Sequence, residues 1–287
     1  MARGLLILFL TVMFCGVPGQ AAAAAKAGTT IKIVYVDWDC AIASSNLVKA
    51  VLEDRFGYRV ELLPVSQEAM WARVASGEAD AMVAAWLPDT HAEAYAKVKN
   101  QVDVLGKLVS GARLGLAVPD YVPLRSIDEL DVNADKFNGR IVGIDAGAGL
   151  MRLAANALND YEITLLQLVP GSGASMASSL ADAMQKQEWI VVTAWSPHWM
   201  FSRWPMRYLD DPQGSLGKDE GIFKVGRGGL KKDHPEVWAF LSNFRFEDAS
   251  QLQRLMDWNQ QRGTDPVQNA RRFMKENPRL ADSWLKK

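Results

Sequence analysis

Several kinds of residue that would mark common function classes are scarce in this chain. Of 287 residues, two are cysteine and three are histidine. Charge of either sign is not in excess: 32 Lys and Arg face 33 Asp and Glu, for a formal net charge of −1. With no basic surplus and no Lys/Arg run to neutralise phosphates, a nucleic-acid-binding surface is not expected. No two histidines have a metal-ligand spacing, so neither a metal nor a cofactor is implied. A strained Gly-x-Ser-x-Gly turn is missing. A hydrolase reading must therefore rest on Asp89, His91, Asp145 and Ser196 coming together by chance of the fold, and no enzyme is expected. Downstream of Ala25 no apolar run approaches the ~20 residues that a spanning helix needs.

The N-terminus is different in character. Met1-Ala2-Arg3 precedes an apolar run over 4–17, and Pro18-Gly19-Gln20 leads into alanines at 21–25. This order of positive, apolar and small residues is that of a cleaved export signal spanning 1–25. An uncleaved anchor is disfavoured by the alanine run, and lipid attachment at Cys15 by Phe14, which stands where a small residue is wanted. The expectation is a soluble periplasmic protein. Removal of the segment leaves Cys40 as the only cysteine, so no intrachain disulfide can form despite an oxidising destination. Stability must come from an ordinary core, which a composition 49% hydrophobic can supply. The remaining length of about 260 residues exceeds the usual single core and favours two lobes.

Apolar β-rich runs alternate with amphipathic windows. Strands are predicted at 31–36, 59–63 and 81–85, with helices at 45–56 and 68–76 between and after them. A second set follows, with strands at 140–144, 163–169 and 189–194 and helices at 150–158 and 174–187. Two α/β lobes in series, with mostly parallel sheets, account for both sets. The apolar strand at 112–118 and the following Pro119-Asp120-Tyr121-Val122-Pro123 read as a crossing between lobes, and 206–209 as the return. Lobe 1 is therefore placed at 26–112 plus 208–287 and lobe 2 at 113–207. Asp265-Pro266 opens a tail helix by an N-cap with proline at the first helical position, and the tail is expected to pad lobe 1.

Ten tryptophans are many for this length. Trp38, Trp86 and Trp195 each fall at a strand end followed by turn or helix-start residues. In open α/β sheets ligands sit at such ends. The other windows place Trp71, Trp189, Trp204, Trp238, Trp258 and Trp284 in the core, the usual fate of tryptophan. Three indoles converging on one cleft suit a quaternary ammonium group, a delocalised cation with no N–H to donate, because a ring face attracts the charge and covers the methyls. Each such contact contributes about 0.5 to 2 kcal/mol.

The segment Gly143-Ile144-Asp145-Ala146-Gly147-Ala148-Gly149-Leu150-Met151 joins a strand to a helix start through a glycine-rich turn, an arrangement whose free N–H groups face an anion. A nucleotide loop would share the glycines, but the lysine of a P-loop is missing. His91, five residues after Trp86, is placed to donate to a carboxylate. His198, between Pro197 and Trp199, is open between a structural and a functional role, and His234 reads as a solvated helix start.

Together these segments resemble the glycine betaine and proline betaine binding proteins of osmoprotectant ABC transporters. The resemblance is carried by Tyr35-Val36-Asp37-Trp38-Asp39, Trp86-Leu87-Pro88-Asp89-Thr90-His91, the glycine-rich segment, and Val192-Thr193-Ala194-Trp195-Ser196-Pro197-His198-Trp199-Met200-Phe201. Tyr208-Leu209-Asp210-Asp211-Pro212 and Lys232-Asp233-His234-Pro235 add to it. It implies a two-lobed type II-like periplasmic-binding-protein fold that closes on a hinge of crossing strands. It also implies a prism of Trp38, Trp86 and Trp195 around the cation, with the carboxylate held by the amides of Gly149 and Leu150 and by His91. Ala146 departs from the pattern, where proline is expected, which loosens the turn without removing a donor. The implied partners are a membrane permease and its ATPase, and the receptor itself is expected to be a monomer. Choline or carnitine receptors and sensory binding domains remain alternatives, the lack of an attached signalling domain favouring transport.

Overall fold

The computed structural model describes residues 28–218 and 220–286. The expected export segment lies outside them. In chain order the elements are β1 (Thr30–Tyr35), α1 (Asp39–Phe56), β2 (Arg59–Pro64), α2 (Gln67–Ser76), β3 (Ala81–Leu87), α3 (Ala92–Val98), β4 (Val102–Pro119), β5 (Arg140–Val142), α4 (Gly149–Asp160), β6 (Gln167–Val169), α5 (Gly173–Lys186), β7 (Val192–Ser196), α6 (Met200–Arg203), β8 (Met206–Tyr208), β9 (Glu220–Arg227), α7 (Leu230–Asp233), α8 (Pro235–Asn243), α9 (Ala249–Asn259), α10 (Pro266–Glu276) and α11 (Pro278–Ser283). Among the described residues no helix is long and apolar enough to cross a membrane.

The strands run in the order β2-β1-β3-β9-β4-β7-β5-β6, with β8 paired to β4. Parallel pairing holds in the two outer groups, β2-β1-β3 and β7-β5-β6. Every pair made by β4 or β9 is antiparallel. Each sheet is thus parallel in its outer strands and antiparallel where β4 and β9 join it: β4 carries the chain from the first sheet to the second, and β9 lies in the first, between β3 and β4. Val102 to Ala112 of β4 pair with β9 in the first sheet, and Arg113 to Ala117 pair with β7 in the second. Gly106 and Gly111, at φ +95° and +69°, sit among three register shifts that bend β4 as it changes sheets. The return leg leaves the second sheet after β8, since Leu209 still donates to Leu116 and Asp210 to Arg125.

Two features of the crossing escape periodicity. β4 begins ten residues before the apolar stretch that announces it, because Asp103, Gly106, Lys107, Ser110 and Gly111 break up the apolar residues of its first half. β9 reads poorly as a strand because Lys224 interrupts it. That lysine is buried, and its ammonium donates to the carbonyls of Lys107, Ser242 and Phe244. Burial pushes it down to about 8, and the three carbonyl acceptors supply what water would otherwise give.

α1 is buried on more than one side: its small residues Ala41, Ala43, Ser44 and Ser45 lie close to neighbouring elements, and Leu47, Val48, Val51 and Leu52 fill the core. Helices α9 and α10 pack on it from the tail. Asp265 caps α10 by accepting from Val267 and Gln268, with Pro266 in the first turn. Arg271 clamps Asp54 at the end of α1 with two near-parallel bonds of 3.0 Å. Gly57, at φ +74°, ends α1 in a left-handed cap: its N–H returns to Glu53 and that of Tyr58 to Leu52.

Candidate functional site

All six residues singled out in the sequence line one cavity between the lobes, together with Cys40, Thr90, Leu114, Ile144 and Ala148. Trp86 is the last residue but one of β3, whose seven residues are all buried, and Trp195 lies near the end of β7. Trp38 caps α1 where β1 ends. Each of the three indoles is buried, and none stacks on another. Trp38 is fixed by its indole N–H, which donates to Asp145 in the opposite lobe at 3.1 Å. Trp195 packs edge-on against His198 with ring centres 4.4 Å apart.

The lining has no Asp, Glu, Lys or Arg. Its hydroxyl, on Thr90, is committed to Glu220 at 2.5 Å, and Cys40 is a neutral wall, its thiol pushed up to about 12 chiefly by burial. A cation that must donate N–H bonds finds almost no side-chain acceptor here. Donors, by contrast, converge. Gly149 and Leu150 begin α4, so their N–H groups have no acceptor one turn back in the helix.

His91 is the third donor, and its tautomer follows from its neighbours. Nδ1 accepts from the Trp71 indole at 3.3 Å and from the Trp86 backbone at 3.1 Å. A nitrogen that accepts carries no proton, so the proton of the neutral ring is on Nε2. That Nε2 is buried and has no partner among the described residues. Burial, aided by the Arg152 guanidinium, pushes His91 down to about 3, which keeps the ring neutral and its free N–H facing a site it lines.

The loop carrying these groups is held from outside. Glu220, where β9 starts, accepts from the N–H of Asp89 at 2.7 Å and of Thr90 at 2.5 Å as well as from the Thr90 hydroxyl. Burial raises its carboxyl, with those donors opposing. Arg152 of α4 reaches across to the carbonyls of Asp89 and Thr90 at 3.2 and 3.4 Å. On the far side of the cavity Asp39 accepts from Trp199 at 3.0 Å and Gln260 at 2.6 Å, and His198 Nε2 lies 3.1 Å away. Burial works against ionisation of Asp39, but these donors outweigh it and hold its carboxyl below the ordinary value. The lobes therefore touch on both flanks of the cavity.

Gly149 departs from the sequence expectation in one respect. Its N–H is bonded to Gln67 Oε1 at 2.8 Å, so it is not free. Gln67, Thr90, Arg152 and Glu220 carried no signal in the sequence as site residues, since glutamine at a helix start and a glutamate after a loop are common surface choices. Trp71, assigned to the core, is buried there and also orients His91. His234 is less solvated than expected, packing edge-on against Tyr58. The groups a hydrolytic triad would need stay apart: Ser196 is bonded to Tyr208 at 2.7 Å, Asp145 to Trp38, and His91 meets no carboxylate.

The family model for the substrate binding domain of the ABC-type glycine betaine transport system matches residues 29–276. A glycine betaine/carnitine transport binding protein of Listeria monocytogenes is 38% identical over 152 residues, 52% of this chain and 50% of that protein, so the match spans half the length of that relative. Among solved structures, a glycine/betaine/L-proline-binding protein from Borrelia burgdorferi superposes with a TM-score of 0.86 at 35% identity, over 90% of this chain and 97% of that one. Lactococcal OpuAC, closed and complexed with glycine betaine, gives 0.84 at 36% identity over 90% and 100%.

Proposed function

Since this chain belongs to the family of substrate-binding domains of ABC-type glycine betaine transport systems, we propose that its inter-lobe cavity captures glycine betaine or a close quaternary ammonium relative for import. The observation that carries the reading is the chemistry of the lining: three buried indoles with no charged side chain, beside a buried His91 Nε2–H with no acceptor among the described residues. A trimethylammonium group needs ring faces and no acceptor. The acid group of the same ligand needs donors, and Leu150 N–H, Gly149 N–H and His91 Nε2–H supply them. Three desolvated ring contacts contribute several kcal/mol towards the ~8 kcal/mol of micromolar binding, the rest coming from the donors and from excluded water.

Trp38, Trp86 and His91 come from lobe 1, taken as 26–112 plus 208–287, and Trp195, Gly149 and Leu150 from lobe 2, taken as 113–207. Closure on β4 and on the return leg after β8 brings the two halves together, and ligand contacts in both lobes stabilise the closed state. A permease with its ATPase then recognises that state. The protein works as a monomer in the periplasm after export by the 1–25 segment, and it performs no chemistry on its ligand. The test is calorimetric titration of protein stripped of bound solute by unfolding and refolding, with glycine betaine, carnitine and choline. Micromolar glycine betaine binding, tighter than choline, supports the reading. Silence towards all three overturns it.

A further inference from the structure

The partner of the Gly149 amide is informative because it comes from the other lobe. Gln67 opens α2 in the first sheet's lobe, while Gly149 opens α4 across the cleft. Gln67 lines an outer cleft and not the cavity, whereas Gly149 lines both. The wall between the two spaces is thin. A Cβ built on Gly149 would meet the Thr90 carbonyl oxygen at 2.4 Å, so the lobes are in backbone contact there. In the closed protein the buried Gly149 N–H thus has two candidate acceptors, a ligand acid group from inside and Gln67 Oε1 from outside. One N–H serves one acceptor well, and a buried N–H left with none costs the closed state its desolvation penalty.

We infer that Gln67 is a specificity-determining residue whose side-chain carbonyl stands in for a ligand carboxylate at Gly149, so that the lobes can close over quaternary ammonium ligands lacking an acid group. This rests on the proposed reading of the cavity and adds a selectivity device to it. A betaine brings a charged acceptor, which outcompetes a neutral amide oxygen, and Gln67 turns back into the outer cleft. Choline brings no carboxylate. Gly149 then keeps Gln67, and no buried amide loses its partner on closure. Gln67 therefore narrows the gap in affinity between the two ligands.

The experiment measures dissociation constants for glycine betaine and choline on wild type, Gln67→Ala and Gln67→Glu, choline being read by displacement of betaine where its own heat is small. Gln67→Ala removes the stand-in, so choline weakens by about fivefold or more while betaine is unchanged or tighter. Gln67→Glu places a charged competitor at Gly149, so betaine weakens by a similar factor and choline does not. These opposite movements of the betaine-to-choline ratio are not produced by a residue that merely supports the fold, which would weaken both ligands alike. Equal loss for both ligands in Gln67→Ala, or unchanged betaine affinity in Gln67→Glu, overturns the inference. Wild type that binds neither ligand overturns the reading of the cavity and the inference with it, whereas wild type that binds betaine with an unmoved ratio in both variants overturns the inference alone.

Discussion

Gly149→Ala keeps the N–H that the ligand carboxylate would meet and adds a single methyl group. In the closed form that carbon would stand 2.4 Å from the Thr90 carbonyl oxygen, 2.5 Å from its Cγ2 and 3.1 Å from its carbonyl carbon. Ordinary contact begins at 3.4 Å, so the lobes must separate locally by about 1 Å or Thr90 must move. Thr90 is not free to move: its N–H and hydroxyl are bound by Glu220 and its carbonyl by Arg152. An opening of that size pulls Gly149 out of reach of Gln67 and admits water beside the donors. Loss of even one charge-assisted bond to the ligand then costs about 1.5 to 3 kcal/mol, ten- to a hundredfold in affinity. The fold itself does not suffer, because Gly149 is not in the left-handed region and alanine suits a first helical position. Replacement there stabilises by about 0.4 to 1 kcal/mol through the unfolded chain. The signature is a ligand-free melting temperature that is unchanged or higher, with glycine betaine affinity at least tenfold lower by calorimetry. An unchanged dissociation constant would refute the reasoning, since it would mean that the lobes do not close on Thr90.

Trp86→Ala is expected to cost at least ~1.4 kcal/mol, tenfold in affinity, in a protein that still folds; an unaltered constant would remove Trp86 from the cage. His91, neutral with its pKa about 3, should leave glycine betaine affinity flat between about pH 5 and 8, since its donor does not titrate there. The same depression has a stability consequence of definite sign. The unfolded chain takes up a proton near pH 6.5 that the folded one refuses, so stability is intact above that pH and falls as pH drops towards 3. At pH 4.5 the loss from this group is about 2 to 3 kcal/mol, and urea unfolding of wild type against His91→Gln should show the variant less acid-sensitive by that order. Glu220→Ala strips the acceptor from two backbone N–H groups and one hydroxyl around Thr90. It should weaken glycine betaine binding several-fold without touching any cavity atom; normal affinity would show that the loop holds its shape unaided.

Much of this molecule can be read from its residues, and the limits are physical. The α/β alternation is visible because each lobe's outer strands are short apolar runs flanked by caps and glycines, as in β3 and in α1 with its Gly57 stop. The three indoles were legible by position, since tryptophan at a strand end before a turn is aimed at the sheet's carboxyl edge. β9 was not, because its lysine is made tolerable only by carbonyls from β4 and from the end of α8, partners more than fifteen residues away. The same holds for the groups that orient the site. Trp71 meets His91 over 20 residues, Glu220 meets Thr90 over 130, and Gln67 meets Gly149 over 82. The first two are made by packing within lobe 1 and the third by closure of the lobes, and no local pattern encodes either.

The most direct measurement is a crystal structure of the refolded protein grown with glycine betaine. The trimethylammonium group should lie within ~6 Å of the ring centres of Trp38, Trp86 and Trp195, with its carboxylate accepting from His91 Nε2 and Leu150 N. A ligand seated in the outer cleft, or a cation turned towards Asp145 with the three ring faces empty, would contradict the assignment of this cavity.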